Sequence, residues 1–124
     1  MSDLKVRTFE FSLRVMRFAE ALPDTRSGRT IANQIIRSGT SVGANYRAAK
    51  RAKSTKDFVS KMGIVEEECD ETIYWIELAV AADCVPQERV DALLREANEI
   101  LAMTVASIKT AKKRVPRPRK DPQQ

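Results

Sequence analysis

Between Arg37 and Arg47 the chain reads RSGTSVGANYR, a stretch that has to pack tightly on one side and display guanidinium groups on the other. On a helix of about 3.6 residues per turn, residues 29 to 53 place Ile31, Ile35, Gly39, Val42, Tyr46, Ala49 and Ala52 on one face. Arg29, Asn33, Arg37, Thr40, Ala44, Arg47 and Arg51 fall opposite. The apolar stripe is built largely of small side chains, so a partner helix can approach closely. Four arginines line the far side with no acid between them.

The rest of the chain supplies three more helices. Residues 4 to 22 carry two adjacent apolar rows, Phe9, Leu13, Met16 and Phe11, Val15, Phe18, Leu22, which predict one wide buried stripe. Pro23, Asp24, Ser27 and Gly28 form a turn into the second helix, predicted over Arg29 to Lys53. Ser54, with Asp57 three positions on, has the spacing of an N-cap and capping box and opens a third helix, Thr55 to Ala82. Its core row is Phe58, Met62, Val65, Cys69, Thr72, Ile76 and Ala79.

That third helix has a second stripe. Ile64, Trp75 and Leu78 sit among Glu68 and Glu71, where a simple bundle core would leave them wet. Either the core is wider than usual or these residues form an oligomer interface. After the turn Asp83 to Pro86, a fourth helix runs to about Lys113 with a four-three repeat, Val90, Leu94, Ala97, Leu101, Thr104, Ile108 and Ala111. Short links between long helices give an all-α, antiparallel up-down-up-down four-helix bundle over residues 1–111. Residues 112–124, KKRVPRPRKDPQQ, are expected to be a disordered, Pro-rich basic tail.

Charge is segregated along the chain. The net value is +5, and the tail alone holds six Lys or Arg and one acid. Residues 24 to 61 carry nine bases and two acids, whereas residues 62 to 111 carry three bases and eleven acids. This implies either separate basic and acidic surfaces or a pairing of the two on folding.

The 124 residues contain no histidine, which removes His-activated nucleophiles, most zinc sites and the usual di-iron bundle motif. Glu66, Asp70 and Glu77 share a face with Tyr74 that points away from the inferred core. They read as a solvated acidic face, or one paired with second-helix arginines, in preference to a metal site. GTSVGAN follows no strand and is not a phosphate loop. No catalytic residue, cofactor or small-molecule substrate is therefore assigned. Cys69 and Cys84 are expected to be two reduced thiols. With no secretion signal and no apolar run of about 20 residues, a cytoplasmic protein off the membrane is expected.

Arginine is the remaining candidate chemistry. Arg29, Arg37, Arg47 and Arg51 could each meet a phosphate, and Lys112, Lys113, Arg114, Arg117, Arg119 and Lys120 could extend along the same RNA or DNA. The alternative is an adaptor whose basic face docks an acidic protein. A stripe of this kind positions phosphates and does not read sequence.

RSGTSVGANYRAAKRAKSTKDFVSKM, with TFEFSLRVMRFAEALP before it and EEECDETIYWIELA after it, resembles a four-helix-bundle family. That family is named after proteins encoded in intervening sequences of bacterial large-subunit ribosomal RNA genes. The likeness covers about residues 5 to 112. It implies a left-turning bundle assembled as a ring-like homopentamer, and distant kinship with accessory proteins of diversity-generating retroelements, which work with reverse transcriptase and nucleic acid. It implies no catalytic activity. A ring would make the Trp75 stripe an intersubunit surface and repeat the arginines around an axis.

Overall fold

The computed structural model describes residues 3–114, so Arg117, Arg119 and Lys120 of the tail lie outside the described residues. The helices are α1 (Leu4–Glu20), α2 (Arg26–Lys50), α3 (Thr55–Ala81) and α4 (Asp91–Lys112), with a short 3₁₀ turn, Gln87–Arg89, before the last. Each start has a local cause. Asp3 caps α1 by accepting from the Lys5 amide at 2.9 Å, and Thr25 caps α2 by accepting from Gly28 N at 3.0 Å. The cap at Thr25 starts α2 three residues before the expected Arg29, so Ser27 and Gly28 are helical and not part of the turn.

Ser54 does cap α3: its hydroxyl accepts from Asp57 N at 3.0 Å. The Asp57 carboxylate reaches back to the Lys53 amide at 3.4 Å, one residue before the position a strict capping box uses. At the other end, Cys84 N donates to Ala79 O and Asp83 N to Val80 O, the paired bonds of a Schellman motif. The motif requires a left-handed residue, and Asp83 supplies it at φ 60°.

Side-chain meetings fix the directions of the helices. Gly39 and Gly43 of α2 face Val15 and Thr8 of α1, so position rises on one helix as it falls on the other. Ser38 meets Thr72, while Ala49 and Phe58 line one concavity with Ala111. Cys69 meets Ala97. The order is thus antiparallel throughout, with α2 packed on α1 and α3, α3 on α4, and a thinner α1–α4 edge closing the ring.

The core is centred on Phe11, Val15, Ile35, Val42, Met62, Val65, Cys69, Ile76, Val90 and Ile100, all fully buried. Two expected rows are corrected. On α1, Phe9, Leu13 and Met16 are exposed, and the buried row is Leu4, Thr8, Phe11, Val15 and Ala19. A helix with one broad contact and one thin one has no neighbour on its third side. On α4 the buried row passes through Leu93 and Ile100, leaving Leu94 and Leu101 half-buried. Adjacent apolar pairs at 93/94 and 100/101 offer either row, and packing on α3 selects one. On α3, Phe58 is half-buried and Ile73 is buried in addition to the expected set.

Polar groups inside are satisfied in series. Thr72 donates to Ser38 Oγ at 2.8 Å and Ser38 donates to Gln34 O at 2.9 Å, which ties α3 to α2 through fully buried hydroxyls. Among the described residues no buried side-chain N or O lacks a partner.

At Gly39 there is no room for a side chain: a Cβ there would stand 2.5 Å from Val15 Cγ2. Gly63, in α3, would have open space around its Cβ. Gly39→Ala is therefore expected to destabilise, since overpacking costs about 1–3 kcal/mol against roughly 1 kcal/mol gained in helix propensity. Gly63→Ala should instead stabilise by up to about 1 kcal/mol, and urea denaturation of both variants measures the difference.

Candidate functional site

The four arginines of the stripe drawn from the sequence divide into two pairs. Arg29 binds Asp24 Oδ1 at 2.8 Å, and Arg37 reaches Gln34 Oε1 at 3.1 Å, Glu68 Oε2 at 3.1 Å and the Glu71 carboxylate. Arg47 and Arg51 are exposed, and no acid pairs with either among the described residues. The stripe drawn from the sequence is thus one helical face in two electrostatic states. Its first half is bridged to acids and its second half is open.

The open half belongs to a larger basic surface. An antiparallel bundle gathers the starts of α1 and α3 with the ends of α2 and α4. Every lysine of the described residues lies there: Lys5 on α1, Lys50 and Lys53 around the end of α2, Lys56 and Lys61 on α3, and Lys109, Lys112 and Lys113 on α4. Arg47, Arg51 and Arg114 add to them. Asp3, Glu10 and Asp57 are the acids of this end, and Asp57 is bonded to Lys61 at 2.7 Å, which holds its carboxyl below the usual range.

Lys50, Lys109 and Lys112 suit the negative ends of their helix dipoles, but Lys5 and Lys56 sit in first turns, where the dipole disfavours a cation. Helix stabilisation alone does not account for the pattern. Of this group the arginine stripe and the basic tail supply Lys112, Lys113, Arg114, Arg47 and Arg51, and the other six lysines fall outside both. The signal was available: lysines confined to alternate helix ends converge once the connections are antiparallel.

The surface is concave in several places. Lys5, Arg47, Lys50 and Arg51 line a groove of about 380 Å3, with no acid among them. A concavity of about 390 Å3 beside it takes in Lys50, Lys53, Phe58 and Arg114. Between α1 and α2 a smaller groove of about 220 Å3 is lined by Phe9, Ser12, Thr40, Gly43 and Tyr46, and shares Lys5 and Arg47 with the first. Burial raises the Tyr46 phenol, with the Asp3 charge adding to it.

On α3 the residues expected at an oligomer interface separate. Trp75 and Leu78 are half-buried against the core of their own chain, and Trp75 Nε1 donates to Glu71 Oε2 at 3.1 Å. Ile64 stays exposed, as does Tyr74, whose ring meets Trp75 edge-on. Glu66, Asp70 and Glu77 form no ion pair among the described residues; it is Glu68 and Glu71 that take Arg37. Cys69 is a buried thiol donating to Ala97 O at 3.3 Å, pushed up to about 12 by burial, and Cys84 is also free. No group of three His, Cys, Asp or Glu among the described residues is placed to hold a metal ion. No described helix is long and apolar enough to cross a membrane.

The family model of the 23S rRNA-intervening sequence protein matches residues 2–106. Among solved structures the chain is similar to a protein of unknown function from the S23 ribosomal protein family of Bacteroides thetaiotaomicron. The two are 33% identical, with a TM-score of 0.81, over 86% of this chain and 99% of that one. No curated protein is significantly similar.

The two internal ion-pair systems differ in burial, and so in worth. Arg7 grips Glu96 with Nε at 3.0 Å and Nη2 at 2.5 Å and adds Glu99 at 3.0 Å, its side chain 18% exposed, across the thin α1–α4 edge. Those bonds, to Glu96 first, hold its guanidinium more firmly protonated than usual. Arg37 is 48% exposed. Arg7→Met should cost about 1.5–3 kcal/mol by urea denaturation, and Arg37→Met under about 1 kcal/mol. The reverse order would show that the α2–α3 bridge carries the bundle.

Proposed function

The chain belongs to the 23S rRNA-intervening sequence protein family, and from that premise we propose that it is a non-enzymatic, oligomeric nucleic-acid-binding or scaffolding protein of the cytoplasm, contacting RNA or DNA phosphates through its lysine-rich end. The observation that carries this reading is the convergence of the described lysines with unpaired Arg47 and Arg51 around an acid-free groove. Like charges gathered at one end repel one another and contribute nothing to packing, whereas a polyanion neutralises them and releases counterions. Arg29 and Arg37 already hold carboxylates, so the phosphate contacts move away from them and toward Arg47, Arg51, Lys112, Lys113 and Arg114. Arg117, Arg119 and Lys120 follow Arg114 closely in sequence and extend the same charge.

Self-association completes the reading. Ile64 of α3 is a large apolar side chain left open by the single chain, with Trp75 and Leu78 half-buried on the same stripe. A homopentamer built through them would repeat the basic end, and several weak phosphate contacts on one strand multiply their effect.

Binding of labelled RNA and DNA across a salt series tests the reading. Affinity should fall steeply with salt, by about 0.9 log unit per log of salt for each duplex phosphate contact and about 0.7 on single strands. Arg47→Glu with Arg51→Glu should flatten that slope by about two contacts, while Arg29→Glu should leave it nearly unchanged. Absence of any binding would leave the competing adaptor reading, an acidic protein on the basic end. Light scattering should give a multiple of the 14.0 kDa chain mass, reduced by Ile64→Glu.

A further inference from the structure

The smaller groove between α1 and α2 is chemically unlike the rest of the basic end. Its walls carry Phe9, Tyr46, Ser12 and Thr40, and at one end it opens onto Lys5 and Arg47. Phe9 is 57% exposed, the most open of the large apolar side chains among the described residues. Gly43 is part of its lining, and a Cβ there would stand 3.1 Å from the Thr8 carbonyl oxygen. Lys5 and Arg47 also line the larger cationic groove, so an aromatic section runs directly into a cationic one.

The hydroxyls narrow the ligand further. Ser12 Oγ donates to Thr8 O at 3.1 Å and Thr40 Oγ1 donates to Ile36 O at 2.6 Å. Their hydrogens are committed to their own helices, and what they offer outward is lone pairs. A ligand suited to this groove has a flat face to stack, an N–H donor on its edge and a phosphate a short distance away. An unpaired nucleobase in a strand meets all three requirements. A paired base does not, because its faces are covered by its neighbours in the duplex and its edge is used.

We propose that the α1–α2 groove is a base-stacking subsite, with Phe9 taking one unpaired base of a single-stranded nucleic acid while Lys5 and Arg47 hold the adjoining phosphates. This rests on the phosphate-binding reading above and sharpens it from polyanions in general to single strands. An adenine or cytosine amino group matches the lone pairs of Ser12 and Thr40. Stacking and phosphate contact are shared by RNA and DNA, so strands of either sugar are ligands.

The test uses the full chain, with short oligoadenylate, oligodeoxyadenylate and the duplex of oligoadenylate with oligouridylate as probes. Both single strands should bind more tightly than the duplex. Phe9→Ala should weaken the single strands by about 5- to 150-fold, the range that one lost stacking contact gives. It should leave the salt slope, the duplex affinity and the light-scattering mass unchanged, and Phe9→Trp should restore binding. Since Phe9 lies outside the core, circular dichroism of the variants should match the parent.

Single-strand affinity that survives Phe9→Ala overturns the inference, as does a duplex that binds more tightly. Loss of mass in Phe9→Ala with both affinities falling together also overturns it, because Phe9 would then be a contact between copies. In these cases a salt slope that still responds to Arg47→Glu leaves the phosphate reading standing. A parent chain that binds none of the probes defeats both.

Discussion

The antiparallel contact of α1 with α2, closed down onto Gly39 and Gly43, is what the rest of the molecule depends on. It sets the spacing of the two helices at the α-carbon level, because Val15 occupies the volume a side chain at 39 would need. From it follow the register that brings Lys5 beside Arg47 and the shallow groove over Gly43. The remaining helices complete the ring with ordinary tools: a buried Thr72–Ser38 hydroxyl pair on the α2–α3 side, and a two-pronged Arg7–Glu96 bridge where α1 meets α4 only thinly.

Once the ring is closed, charge is distributed along its axis. Apart from Asp57, the acids of α3 and α4 occupy the middle and the far end, where Arg37 pairs with Glu68 and Glu71, and Arg7 with Glu96 and Glu99. Among the described residues the near end keeps an excess of cations with no carboxylate in ion-pair reach, apart from Lys61 on Asp57. Exposed like charges are tolerated because water and salt screen them over about a Debye length, near 8 Å at physiological ionic strength. That tolerance makes the end an available surface and makes any polyanion contact there sensitive to salt.

Much of this was legible in the sequence. The 3.6 period of α2, the Ser54 cap and the Asp83–Pro86 turn all stand where the pattern put them, because each is decided by neighbours within one or two turns. The choice between Phe9 and Phe11 rows on α1, or Leu93 and Leu94 on α4, depends on which side of a helix finds a neighbour, and local spacing does not hold that information. The same limit applies to the candidate site. Arg29, Arg37, Arg47 and Arg51 share a face in the sequence, yet Arg29 and Arg37 meet acids, in the second case from a helix more than thirty positions away. The lysine cluster was overlooked for the opposite reason: its members are scattered along the chain and converge only when helix ends are superposed in the antiparallel order.

In the proposed binding mode one end of the bundle, and not the arginine face as a whole, takes the polyanion. Mass-spectrometric footprinting of lysines and arginines with and without bound oligoadenylate tests it directly. Lys5, Lys50, Lys53, Arg47 and Arg51 should be shielded from modification, while Arg26 and Arg89, exposed at the opposite end, should react as before. Shielding of Arg26 and Arg89 with the lysines left reactive would contradict the account.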